Sequence, residues 1–488
     1  MSLVRNAGYN LVGAVVPIAL GLATVPVYIH LVGIERYGVL SIAWLLLGYF
    51  GLFDLGLSRA TAHRIAALKD ASEQERSDTF WTAVGVNAGM GLVGGLILWP
   101  VASWYFAYKF ECGPDLRREI LVAVPLLAAS VPVATSTGVL LGALQGREKF
   151  FETNSISITS TTLFQLFPLL VAWLHGPNLT WLLSAALGAR VIALISLWAR
   201  CNVHVIRGHR FRVDRQQMIP LMKFGGWVTV ASIFSPLLVI VDRFFIGAIL
   251  GAVAVAIYNV PFQIAQRISI IPTALGGALF PRLSSSRGEE SDTLGLKASE
   301  TLACLMTLPV LWAILLFGPF LNLWVGAKIG VPASPIGKIL VLGYWANAFA
   351  IIPYVRLQAR GRPDLVTKLL LIEIPPYLTL LWFGLHRFGL VGAATVFALR
   401  CAADYILLSL AAGGGFPAWR LITFNLALLL AAIFLTEFYH PSLLVIGALL
   451  VLGTGLCAVV GWRNLPVDIR DKLVALIGQR LPRRWRTT

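Results

Sequence analysis

The sequence predicts an all-α, polytopic membrane protein of about fourteen transmembrane helices. Two six-helix lobes surround a central cationic cavity, and two extra helices follow at the C-terminal end. Three observations carry the helical, polytopic class. The 488 residues are 58% apolar and 13% charged, whereas soluble domains average about 45–50% and 25%; mean hydropathy is +0.79. Apolar runs recur along the whole chain at the roughly 20-residue length that a helical crossing needs. Basic residues alternate between crowded and sparse connections. This composition excludes a soluble enzyme, a disordered tail or a disulfide-stapled secreted domain.

The segments run, in order, over 9–31, 39–60, 79–106, 119–145, 153–175, 179–200, 224–250, 253–281, 298–322, 335–358, 366–386, 390–412, 419–437 and 441–462. The first run, Tyr9 to Leu31, lacks a small-residue cleavage site and is long enough to stay as a helix. Segments 79–106 and 253–281 exceed one bilayer thickness, so tilt or a partial break is expected in each. One set of alternate connections holds only six basic residues: Arg36, Lys109, Arg117, Arg118, Lys328 and Arg387. Six more lie deeper within segments, and the other 27 of the 39, counting the helix ends that flank each loop, belong to the opposite side and the termini. Positive charge stays cytoplasmic, so both termini are expected in the cytoplasm. The net charge of +16 then points to anionic membrane lipids as partners and not to nucleic acid. Within the tail, Ile469, Leu473, Leu476 and Ile477 share a helical face between basic residues, which predicts an amphipathic helix on the inner leaflet.

A weak repeat organises the chain. Segments one and seven both open on glycines (Gly8 and Gly13; Gly225 and Gly226). Both carry a central proline, Pro17 or Pro236, and both end in a glycine turn at Gly33 or Gly251. Segments six and twelve each hold one central arginine, Arg190 and Arg400. Six crossings per repeat keep both lobes parallel, an arrangement that usually encloses a cavity and alternates access by rocking. The expected divisions are an N-terminal lobe over 1–200, a cytoplasmic linker over 201–223, a C-terminal lobe over 224–412, the two appended crossings over 413–462 and a basic tail over 463–488.

Charges inside apolar segments are the candidate site, because each costs at least about 2.5–3.5 kcal/mol unless it meets protein, water or ligand. The basic set is Arg59, Arg190, Arg243, Arg267 and Arg400; the acidic set is Asp54, Asp242, Glu373 and Asp404. Guanidinium forks bind phosphate bidentately, so several facing one cavity would receive a doubly charged phosphate group. Internal ion pairing is the competing explanation. Asp242 and Arg243 are adjacent and about 100° apart around a helix, so they are expected to pair poorly. Asp404 lies one turn after Arg400 and is its expected partner. Glu373 precedes Pro375 and Pro376, so a broken helix beside a buried carboxylate is expected there, a construction suited to Na⁺ or H⁺. Lys338 reads as an interfacial anchor, and Trp44, Trp81, Trp99, Trp104, Trp181, Trp324, Trp419 and Trp462 read mostly as interface belts.

The sequence carries no GxxxxGK[ST], HExxH, GxSxG or paired CxxC motif. Its five cysteines and seven histidines form no ligand spacing. No cofactor and no catalytic constellation are expected, so the chain reads as a transporter and not an enzyme.

Several motifs are similar to those of a known family. Asn6 and Asn10, Pro26-Val27-Tyr28, Gly33-Ile34-Glu35-Arg36-Tyr37-Gly38 and Phe53-Asp54-Leu55-Gly56-Leu57-Ser58-Arg59-Ala60 resemble the opening of Wzx-type polysaccharide flippases. These belong to the multidrug/oligosaccharidyl-lipid/polysaccharide superfamily. Asp242-Arg243 and the glycine turn after it are similar to that group's second-lobe signature. The resemblance implies movement of undecaprenyl-pyrophosphate-linked oligosaccharide from the inner to the outer leaflet of the bacterial cytoplasmic membrane. Arginines would hold the pyrophosphate, and buried carboxylates would couple the cycle to Na⁺ or H⁺. A polysaccharide polymerase and a chain-length regulator are the implied protein partners. Fourteen crossings, where some members have twelve, match the peptidoglycan-precursor flippases of the superfamily. The glycan stays open among O-antigen, capsule and exopolysaccharide. The alternative is a multidrug/cation antiporter of the related extrusion branch, which would favour an acidic lumen.

Overall fold

The computed structural model describes residues 2–49, 57–68, 71–206, 238–286, 288–413, 418–468 and 470–471, with side chains for all of these except 2–15, 48, 49 and 59. Among the described residues every regular element is helical. Nine helices there are long and apolar enough to cross a membrane, and the chain is a multi-pass membrane protein.

The first compact unit spans Met1–Asn259. Its helices are α1 (Ser2–Val32), α2 (Ile34–Tyr49), α3 (Leu57–Ala67), α4 (Glu73–Trp104), α5 (Pro114–Gly146), α6 (Phe150–His175), α7 (Leu179–Cys201), α8 (238–249) and the first residues of α9 (Gly251–Ala265). One π-helical turn, Tyr105–Lys109, ends α4 and another, Asn202–Ile206, ends α7. In this unit α5 packs against α3, α4 and α7, while α6 lies between α1 and α7. Arg36 from the start of α2 forks onto Glu119 of α5 with contacts of 2.7 and 3.2 Å, and the Leu179 backbone N–H at the start of α7 donates to the same carboxylate at 3.3 Å. That clamp joins three helix ends at one end of the unit.

The expected second segment, 39–60, is represented by α2 and α3. Arg59 sits in the first turn of α3, which continues to Ala67. Asp54 lies outside the described residues, as does the side chain of Arg59. The repeat's turn is well matched: Gly33 has φ +81° and Gly251 φ +82°, a left-handed conformation that favours glycine. Gly225, Gly226 and Pro236 fall outside the described residues, as does most of the expected linker and basic tail.

The second compact unit spans Val260–Thr488. It contains the rest of α9, a 3₁₀ turn (Gln266–Ser269), α10 (Ile270–Ser285), α11 (Glu289–Val325), α12 (Ala327–Ala359), α13 (Pro363–Ala411), α14 (Trp419–Phe438) and α15 (Leu443–Asn464). Within it, α12 packs against α10, α11 and α13, and buries Trp345 and Phe349. Both α14 and α15 lean on α11. α15 buries only Ile446 and leaves Leu443, Leu444, Val451 and Leu452 outward, as expected where lipid is the solvent.

The 3₁₀ turn at Gln266–Ser269 is the partial break expected in segment 253–281. The break expected at Pro375-Pro376 is absent, and α13 runs helically through both prolines. Each proline removes only its own N–H, and packed neighbours keep the helical dihedrals. The non-helical residue is Gly389 instead, with φ 56° and ψ −138°, which divides α13 into two arms. Lys338 is also corrected. It is buried and its Nζ lies 2.6 Å from Glu437 Oε1, fixing α12 to α14, because its segment end is covered by α14 and does not face the bilayer interface.

Candidate functional site

The embedded charges divide between the two units. In the first unit, Asp242 and Arg243 of α8 are both fully buried. Contrary to the sequence expectation they pair: Arg243 Nη1 lies 2.6 Å from Asp242 Oδ1. The long arginine stem folds back along its own helix, so the same nitrogen also donates to the Val239 carbonyl one turn earlier. The Tyr258 hydroxyl donates to Asp242 Oδ2 at 2.9 Å, and the guanidinium stands 5.4 Å from that ring. α8 is held in place by backbone bonds from Glu111 N–H to Gly247 O (3.0 Å) and from Ala252 N–H to Glu111 O (3.2 Å). Gly38 of α2 meets the chain beyond that turn closely: a Cβ there would stand 1.9 Å from the Ala252 carbonyl oxygen. Tyr37 beside it is fully buried.

Arg190 of α7 has a different environment. Its guanidinium lies over the Phe164 ring at 4.8 Å, a cation–π contact. Among the described residues no carboxylate comes within 4.0 Å of it. Around Phe164 stand Trp44 and Gln165. The Gln165 carbonyl accepts from the Tyr28 hydroxyl at 2.6 Å, and Trp44 meets Tyr28 edge-on at 4.6 Å. Trp44 therefore belongs to this inner cluster and not to an interface belt. Trp81 is likewise packed against Phe80 and Trp198. Both rings pack against helix neighbours. Trp99, Trp104, Trp181, Trp419 and Trp462 are exposed.

In the second unit, Arg267 lies in the 3₁₀ turn and is partly exposed. Among the described residues its Nε has no hydrogen-bond partner and no carboxylate lies within 4.0 Å. The arms of α13 form the acidic cluster. Arg400 Nη1 lies 3.9 Å from Glu373 Oε2, so its nearest acidic partner is Glu373 and not the expected Asp404. Antiparallel arms bring residue 373 opposite residue 400, whereas Asp404 sits one turn further along the same arm. Asp404 is near enough for its carboxylate to interact with the Arg400 guanidinium and the Glu373 carboxylate. The Arg400 guanidinium stands 5.3 Å from the Tyr377 ring and 5.7 Å from Phe397. Glu373 is buried, and among the described residues neither of its oxygens accepts a hydrogen bond.

A feature not foreseen from the sequence lies on α6. Seven hydroxyl residues fall between Thr153 and Thr162, and part of this run faces α7 across an open cleft of about 500 Å³. The signal was present in the composition of segment five, but hydroxyls carry no formal charge and a search for buried charge passes over them.

Helical spans and buried charges define a polytopic α-helical membrane protein, and the family match and the relatives place it in the multidrug/oligosaccharidyl-lipid/polysaccharide superfamily. Comparison with solved structures agrees. The fold is similar to a structure described as the lipid II flippase MurJ in an inward closed conformation, with TM-score 0.74 and 13% identity, covering 96% of this chain and 100% of that one. It is also similar to an inward-facing multidrug resistance MATE family transporter, with TM-score 0.68 and 16% identity over 85% and 98%. The chain belongs to the polysaccharide biosynthesis protein family, whose pattern matches residues 3–287. A relative from Shigella flexneri named "Putative O-antigen transporter" is 31% identical over 410 residues, 84% of this chain and 97% of its own. The "Uncharacterized membrane protein EpsK" of Bacillus subtilis is 23% identical over 76% of this chain and 75% of its own.

Proposed function

We propose that this protein is a transporter that flips undecaprenyl-pyrophosphate-linked oligosaccharide from the cytoplasmic to the periplasmic leaflet of the bacterial inner membrane. The glycan would serve surface polysaccharide assembly. The observation that carries the reading is the pair of membrane-embedded guanidiniums, Arg190 and Arg267, which have no carboxylate within 4.0 Å among the described residues. Such groups are costly in a bilayer unless an anion or water meets them, and a pyrophosphate supplies that anion in bidentate form. The family match and the O-antigen relative support the same substrate class.

Arg190 and Arg267 are the primary phosphate ligands in this reading, with Arg59 and Arg400 assisting. Arg243 joins them only after its bond to Asp242 opens. A proton or Na⁺ taken up by Asp242 would release it, which couples ion binding to substrate capture. Glu373 and Asp404 form a second place for the coupling ion, since two carboxylates there face one guanidinium; Asp54 remains a sequence-based member of the set. Release outside follows rocking between inward- and outward-open states. Both termini are cytoplasmic in this scheme, and the basic tail meets anionic lipid. A polymerase and a chain-length regulator would receive the product.

The antiporter alternative is disfavoured by the same two arginines, which repel cationic drugs. The test is reconstitution into liposomes with a fluorescent lipid-linked oligosaccharide, following leaflet exchange with and without a Na⁺ or H⁺ gradient. Gradient-dependent exchange is expected. Exchange no faster than in empty liposomes, with drug-driven proton flux in its place, would establish the antiporter.

A further inference from the structure

We infer that the cleft between α6 and α7 is a carbohydrate-binding subsite, which docks a sugar of the lipid-linked substrate through hydroxyl hydrogen bonds. This inference rests on the flippase reading and adds to it a place for the glycan, separate from the phosphate-binding arginines.

The cleft holds about 500 Å³ and lies wholly within the first unit. That volume is inside the roughly 300–1,000 Å³ range of ligand sites. Ser155, Thr159 and Ser160 line its α6 side; Ser196 and Arg200 line its α7 side. Many helical Ser and Thr side chains in this protein donate back to a carbonyl one turn earlier, as at Thr24, Ser41, Thr61, Thr82 and Thr137. On α6 itself Thr161, off the cleft, donates to Ser157 O at 2.9 Å. Ser155, Thr159 and Ser160 make no such bond among the described residues. Three hydroxyls left unspent on one side of a membrane helix are costly without a polar partner. Ser196 uses its proton on Ile192 O at 2.8 Å and keeps its acceptor lone pairs.

The chemistry favours a sugar. A hydroxyl both donates and accepts, and so matches the hydroxyls of a pyranose ring without regard to its charge. Ile156 and Leu163 give the cleft an apolar wall for the ring's C–H face. At one rim Arg200 is half-exposed and lies 3.9 Å from Glu152 Oε2, which leaves the guanidinium partly neutralised. A phosphate would call for unopposed cations, and the polar lining of the cleft is four neutral hydroxyls beside one partly neutralised guanidinium. The Arg200 rim is the end of α7 that leads into the expected cytoplasmic linker. A glycan held here is therefore engaged before the lobe turns outward.

The test compares wild type with a Ser155→Ala/Thr159→Val/Ser160→Ala variant, and with a Ser157→Ala/Thr161→Val control off the cleft. Purified proteins in nanodiscs are titrated with the lipid-linked oligosaccharide extracted from the host strain and with sugar-free undecaprenyl pyrophosphate. The triple variant is expected to bind the glycosylated lipid at least about tenfold more weakly, as lost net hydrogen bonds predict, and the sugar-free lipid with wild-type affinity. The control is expected to match wild type for both. Equal affinity of triple variant and wild type for the glycosylated lipid would overturn the subsite. So would loss of co-purifying phospholipid from the triple variant with glycan affinity intact, since the cleft would then hold a lipid headgroup. If wild type itself binds neither undecaprenyl lipid, the flippase reading fails and the subsite falls with it. Thermal unfolding within a few degrees of wild type checks that the triple variant is folded.

Discussion

Asp242 and Arg243 illustrate what residue spacing can and cannot reveal. The sequence correctly marks both as charges deep in an apolar segment. It misses their pairing, because adjacency on a helix ignores how far an arginine stem can fold back toward the preceding turn. Arg190 and Arg267 were equally visible as positions, but their lack of a nearby carboxylate depends on neighbours from other helices. These contrasts separate the expected phenotypes. Arg243→Ala leaves the Asp242 carboxylate buried without its guanidinium, held by the Tyr258 hydroxyl and the backbone N–H of residue 243, and breaking a buried pair costs about 3–5 kcal/mol. Its folded protein level and melting temperature should fall, and Asp242→Asn in the same chain should recover part of the loss. Arg267→Ala removes no described ion pair, so protein level should hold while surface polysaccharide is lost. Immunoblots beside polysaccharide gels distinguish the two outcomes. Unchanged polysaccharide in Arg267→Ala would remove that residue from phosphate capture.

At the scale of elements, apolar length and proline placement located most helices within a few residues. They misjudged where the long helices bend. Pro375 and Pro376 stay helical, whereas Gly389 takes a conformation open to few side chains. Gly389→Ala should therefore destabilise by about 1–3 kcal/mol through backbone strain, while Pro376→Ala should be well tolerated; thermal unfolding in detergent compares them. Gly38 offers a sharper test. A methyl at that position would collide with the Ala252 backbone, and overpacking of this kind costs about 1–3 kcal/mol. Gly38→Ala should lower the melting temperature, and Gly38→Val should abolish folded protein. The conspicuous Tyr37-Gly38 pair in the sequence thus has a packing reason: one residue fills a core site, the other lets two backbones approach.

For the whole molecule, composition alone was enough for a helical membrane protein, since no soluble fold hides so much apolar surface. The glycine turns of the expected repeat were legible: Gly33 and Gly251 share nearly the same φ. The acidic cluster on α13 was only half legible, because it needs the two arms to lie antiparallel in register. The charge asymmetry of the loops makes a prediction at this scale. Single cysteines at Arg147 and Lys149 should react with a membrane-impermeant thiol reagent only in inverted vesicles, and a cysteine at Arg117 only in intact spheroplasts. The five native cysteines would first be replaced. The opposite pattern would reverse the direction of transport proposed above.

The clamp of Arg36, Glu119 and the Leu179 amide has a mechanical corollary. Three separate rods pinned at a shared tip cannot fan apart, so any opening at that tip must swing the bundle as a rigid lever about its far end. Cutting the pin with Glu119→Gln should let the rods splay individually, and a lower melting temperature in detergent would register the loosened tip.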